Sequence, residues 1–164
     1  MFENALEFLE LEREAWRPFE ALDSLSDEEL DFRPAGAHGW SGRDLMAHLL
    51  SWQGVALDVA RELANSETSP AKARSDADWD ARGGDVVNAE IQARWAALPI
   101  TELRRRFREQ PGELRGTLTV VPESRWIKHP DNGQYLAEET LDHYENHAAD
   151  LEAVIGAATA ARGG

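Results

Sequence analysis

The 164 residues contain no cysteine. Disulfides, thiolate-held metals, iron–sulfur clusters and a cysteine nucleophile are therefore excluded, and any bound metal must be held by nitrogen or oxygen. Basic charge is also scarce. Seventeen Lys and Arg stand against 31 Asp and Glu, a formal charge of −14, and such a surface repels nucleic-acid phosphates and anionic membranes. The one candidate basic stretch, TELRRRFREQ, interleaves its arginines with Glu102 and Glu109, which reads as a charged helix face in preference to a binding patch. No apolar run reaches the ~18 residues that mark a membrane helix. The opening MFENALEFLELERE is acidic where a signal peptide would be basic. A cytoplasmic protein with no nucleic-acid or membrane partner is expected. A P-loop, a dinucleotide fingerprint, a Gly-x-Ser-x-Gly elbow and a His-Glu-x-x-His zinc-protease motif are all missing.

What is present is helical periodicity. Phe2, Leu6, Leu9, Ala15 or Trp16, Phe19 and Leu22 recur at three and four, predicting an amphipathic helix from Phe2 to about Leu25 with a bend near Pro18. Ser26 and Glu29 resemble a capping box opening a short turn, and RPAGAHGW is loop. Ser41 and Asp44 open a second helix whose stripe runs through Leu45, His48, Leu49, Trp52, Val55, Val59 and Leu63. NSETSPAKARSDADWDARGG has no period and reads as a twenty-residue loop excursion.

Asp85 to Leu98 resumes a helical pattern, Pro99 marks a break or a first-turn proline, and Ile100 to Val121 continues it through Pro111 and Gly112. A kinked or interrupted third helix is predicted, although TLTVV alone would pass as a strand. PESRWIKHPDNG is a second loop, and the last helix runs from Gln134 to a stop at Gly156 or in the ATAARGG tail. Four main helices joined by long loops predict an all-α four-helix bundle, a single domain over residues 1–158 with a flexible tail at 159–164.

Three histidines lie on inward stripes. His143 and His147 are four residues apart, one turn on the same face, and His48 sits on a facing helix. One such residue is readily explained as a hydrogen-bonded core imidazole. Three together suit a shared divalent ion, with imidazole favouring zinc, nickel or iron and open positions left for water or substrate. Asp44, Glu139 and Asp142 are candidate carboxylate partners for the far ring N–H groups. His38, Trp40, Trp126 and His129 sit in loops and are candidate rim residues of a pocket above the histidines. Trp79, in the long loop, is a candidate lid or interface residue. Trp16, Trp52 and Trp95 fall at core spacing.

HGWSGRDLMAHLLSWQ, followed much later by TLDHYENHAADLEAV, resembles the DinB-like superfamily of four-helix bundles, which includes mycothiol-dependent maleylpyruvate isomerases, bacillithiol transferases and the ClbS/DfsB-type proteins. Trp40, Ser41 and His48 match its first motif; His143 and His147 match its second. DWDARGGDVVNAEIQARW looks closest to the ClbS/DfsB branch, in which the histidine triad is not uniformly kept. The resemblance implies a three-histidine site for a divalent metal, most often nickel or zinc, and frequent homodimers. It also implies thiol transfer or isomerisation with an external low-molecular-weight thiol, or hydrolysis of an electrophilic small molecule. The alternative is a non-catalytic bundle that binds a metal or ligand.

Overall fold

Side-chain caps start the first helices. Asn4 accepts the Glu7 N–H to open α1, Ala5–Trp16. The capping box of Ser26 and Glu29 opens α2, Asp27–Asp31, and that of Ser41 and Asp44 opens α3, Gly42–Asn65. The computed structural model describes residues 2–163, and among them only helices, turns and irregular links occur. Pro18 does not simply bend the first helix: the chain tightens into a 3-10 helix, Arg17–Ser24, with the proline in its first turn.

The twenty-residue excursion is corrected. Ser69 caps a helix, α4, Pro70–Arg82, which ends at Gly83 with φ +80. Its alanines favour helix, and Lys72–Asp76 (2.6 Å) and Asp78–Arg82 (3.2 Å) pair at i,i+4. Only Ala71 is buried, so α4 has no apolar stripe by which the sequence could announce it. Next come α5, Gly84–Ala96, and α6, Ile100–Leu118, with Pro99 at the N-cap of α6. Pro111 lies inside an unbroken α6 and is itself buried. An interior proline costs about 3 kcal/mol, and the stripe of Leu103, Phe107, Leu114 and Leu118 buried along the same helix offsets it. Thr117 and Leu118 of TLTVV finish α6, and no strand forms there. The arginines of this helix are tied to acids, Arg104 to Asp27 at 2.8 Å and Arg106 to Glu102 at 2.7 Å.

The last helical run is divided into α7 (Asn132–Ala137), a π-helical turn (Glu138–Asp142), α8 (His143–Asn146) and α9 (Ala148–Gly163). It passes Gly156, one of the two predicted stops, and ends at Gly163 within the ATAARGG tail, so residues 159–163, predicted as a flexible tail, are helical; there Arg162 grips Glu29 of α2 through two bonds of 2.5 and 2.7 Å. The four walls of the bundle are thus α1, α3, α6 and the α7–α9 run, with α4 and α5 laid against α3.

Two apolar clusters fill it, one around Trp16, Leu45, Leu49, Phe107 and Tyr144, the other around Phe8, Val59, Leu63, Leu114 and Trp126. Between them each wall contributes one buried polar residue. Tyr144 donates to Glu12 (3.0 Å), Gln53 donates to the Tyr144 oxygen (2.8 Å), and Gln110 donates to Gln53 (3.3 Å) and to the Leu50 carbonyl (2.7 Å). Arg115 closes the belt on the other Glu12 oxygen at 2.8 Å. Burial pushes the Glu12 carboxyl up, and Arg115 opposes that shift. Replacing Glu12 by Leu leaves Arg115 and Tyr144 without their acceptor, and urea unfolding should show a loss of about 3–5 kcal/mol. Glu12→Gln keeps an acceptor for Tyr144 and should cost less.

Candidate metal centre

His48 lies within α3 between the buried Leu45 and Trp52, so the helix aims it inward. His143 begins α8 directly after the π turn, and His147 ends it, at φ −102 and ψ 8. A π turn carries an additional residue compared with an α turn and is frequent at functional sites; here it sets the rotation at which both histidines leave the helix. His48 Nε2 and His143 Nε2 are 2.9 Å apart, and one nitrogen from each of the three rings lies within 4.8 Å of the others. Two nitrogens at about 2.1 Å from one ion, at tetrahedral or octahedral angles, stand roughly 3.0–3.4 Å apart. The His48–His143 edge matches that separation closely.

The electrostatics suit the same use. Burial, with His143 and His147 adding to it, lowers the His48 pKa to about 2; burial, then His147, lowers that of His143 to about 3. Both rings are neutral at physiological pH and keep a lone pair for a ligand. Asp150, 1 % exposed, stands behind His147: its two oxygens accept from His147 Nδ1 (2.8 Å) and His38 Nδ1 (2.7 Å). A carboxylate only accepts, so His147 Nδ1 carries a proton, and Nε2 is the ring nitrogen left for the cluster. His48 Nδ1 is buried with no partner among the described residues, and its ring is held instead by packing on Trp40, centroids 4.6 Å apart. The donor set, three imidazoles with one carboxylate orienting a ring, fits a divalent transition metal.

The predicted surroundings separate into those that reach this cluster and those that do not. Trp40 stacks on His147 at 5.3 Å, and His38, exposed and at φ 49, holds Asp150. Trp79 packs edge-on against Trp52 at 5.7 Å, and Trp52 lies 6.2 Å from His143. Trp126 is fully buried, edge-on to Phe8 at 5.2 Å, and so forms core where a rim was predicted. His129 Nδ1 accepts the N–H groups of Asp131 and Asn132 at the start of α7, a helix-capping role. Asp44 is committed to the α3 cap and to Arg33 at 2.7 Å, and Asp142 is exposed. The carboxylate that meets a histidine is Asp150, which sequence reasoning missed; its spacing of three from His147 on one helix face was the available signal.

Glu139 lies elsewhere, in a cavity of about 350 Å³ that opens on His143 and is also lined by Trp52, Ser75, Asp76, Trp79, Asn88, Tyr135 and Glu138. Burial first, then the Glu138 and Asp76 carboxylates, pushes Glu139 up to about 8.

An all-helical bundle with three convergent histidines defines a candidate metalloprotein of the bundle class. The family model described as the DinB superfamily matches residues 9–151, and the chain belongs to that superfamily. No curated protein and no solved structure matches it.

Two outcomes follow from these contacts. Asp150→Asn should lower metal affinity by about 10–100-fold in competition with a chromophoric chelator while leaving the far-ultraviolet dichroism unchanged. For Glu139, the folded pKa of about 8 lies above the usual carboxylate value, so its contribution to stability is complete below about pH 4.5 and is lost as pH rises through 8. Glu139→Gln should therefore melt higher than the native chain at pH 9, with the difference shrinking toward pH 5.

Proposed function

We propose that this protein is a divalent-metal-dependent transferase or hydrolase acting on small electrophilic molecules, with nickel or zinc as the leading metals and iron as the third. The observation that carries the reading is the convergence of His48, His143 and His147 from two walls of the bundle beside a cavity that reaches His143. Three protein ligands leave coordination positions for exchange, whereas a structural ion is normally closed by a fourth. The cluster holds three among the described residues.

The ion, when bound, would acidify a thiol or a water so that thiolate or hydroxide is present at neutral pH. The chain's own residues do the rest. His38 and Asp150 fix the tautomer of His147, Trp40 covers the rings of His48 and His147, and the wall of Trp52 and Trp79 guides a substrate to His143. With no cysteine in the sequence, the thiol of a transfer reaction comes from a separate low-molecular-weight molecule. The acidic surface favours a small-molecule substrate over nucleic acid. A cytoplasmic setting belongs to the same proposal; among the described residues no helix is long and apolar enough to cross a membrane. Pairing of two copies belongs to the same reading and is read by light scattering.

The deciding experiment is elemental mass spectrometry on protein purified without an affinity tag, beside His48→Ala. Near-stoichiometric nickel, zinc or iron, lost in the variant, is expected. Chelated protein should remain helical, because the apolar clusters and polar belt hold the bundle without an ion. Absence of metal from both proteins after incubation with each ion would overturn the proposal.

A further inference from the structure

The cavity beside His143 has a composition that selects its occupant. Trp52 and Trp79 meet edge to face, 5.7 Å between centroids, and form an aromatic wall. Trp79 is held there by a glycine: a Cβ on Gly84 would come within 2.6 Å of the Trp79 ring, so only the bare backbone at the start of α5 lets the indole lie flat across it. Hydrogen-bond donors are set round this wall. The Tyr135 hydroxyl is buried near Ser75 and Glu139, yet has no hydrogen-bond partner of good geometry among the described residues. Asn88 accepts the Trp52 indole N–H at 2.9 Å through its carbonyl oxygen, which leaves its NH₂ free to donate. Glu139, half-buried among carboxylates with its carboxyl pushed up to about 8, favours the protonated form, a further donor.

Charge limits the choice further. No Lys or Arg lines the cavity, and the nearby Lys72 is bound to Asp76 at 2.6 Å and lies over the Tyr135 ring. An anion would meet Glu138 and Asp76 without a free counter-charge. A cation would find Asp76 already paired with Lys72 and Glu138 exposed to solvent, so no desolvated counter-charge is free for it either.

We infer that this cavity binds a flat, uncharged molecule whose ring packs on Trp52 and Trp79 and whose carbonyl-type oxygen accepts from Tyr135 and Asn88. The inference deepens the proposed function, naming the substrate class of the same site, and rests on that reading only for the approach of the ligand to His143. The pocket itself needs no metal, so the test uses metal-free full-length protein.

The probes are benzamide, benzoate and benzamidine, one shape at charges of 0, −1 and +1. Binding is read from the indole N–H signals of the six tryptophans in proton–nitrogen correlation spectra. Benzamide should bind at about millimolar strength, as expected for so small a ligand, moving the Trp52 and Trp79 signals while leaving Trp16. Benzoate should bind about tenfold more weakly, and benzamidine no more tightly than benzamide. Trp79→Ala should weaken benzamide about tenfold. Gly84→Ala, which displaces the ring without removing it, should do likewise and guards against a fold defect in the first variant. His48→Ala should retain the binding, so a failed metal assay and a failed pocket assay are separate results. Tighter binding of benzoate or of benzamidine, no binding of any probe, or loss of binding in His48→Ala would each overturn the inference.

Discussion

A carboxylate in the middle of a helical bundle has to be paired, and Glu12 is paired by residues from opposite walls: Arg115 of α6 and Tyr144 of α8. Removing either partner would strand a charge or a hydroxyl in low-dielectric surroundings. The register of these helices is therefore set by hydrogen-bond geometry as well as by shape, since a slip of one residue would carry an acceptor away from its donor. Gln53 and Gln110 bring α3 into the same register. Tyr144 follows His143 in sequence, and His48 lies five positions before Gln53. The belt thereby fixes the two helices that bear the histidines, and the centre inherits its alignment from polar contacts that never touch it.

Around the centre, neutral rings and a buried carboxylate divide the work. His48 and His143 are desolvated enough to stay unprotonated. His147 is oriented from behind by Asp150, and Asp150 is shared with His38 on the loop that leads into α3. A non-glycine residue at positive φ is held only where its surroundings compensate, and for His38 that compensation is the bond to Asp150. The loop before α3 and the start of α9 are thus linked through one carboxylate, with Trp40 over the rings.

Much of this was legible in the sequence. The caps at Ser26 and Ser41 use short-range chemistry, and the inward stripes of α3 and α6 are strong. His48, His143 and His147 could be placed together because periodicity fixes faces. Features that depend on tertiary context were not visible. Helix α4 buries only Ala71 and is built from propensity, caps and ion pairs; Pro111 is tolerated because the surrounding stripe is already packed. The π turn leaves no residue signature, and it separates the predicted last helix from the observed one at the histidines. Trp126 and His129 sit in a loop dense in turn formers, yet one fills the core and the other caps a helix. Loop residency alone does not distinguish these uses from a rim.

The junction at Gly83 and Gly84 divides labour in a way that bears on how such a chain can diversify. Everything that holds the histidines lies in the bundle walls and in the loop before α3, whereas Trp79 rides on a helix that contributes one small buried side chain to the core. Changes of sequence or length in α4 would therefore reshape the aromatic wall while leaving the histidine cluster and its supporting belt in place. Wall and cluster are carried by parts that can mutate independently, so the cavity can change its lining without the fold being rebuilt.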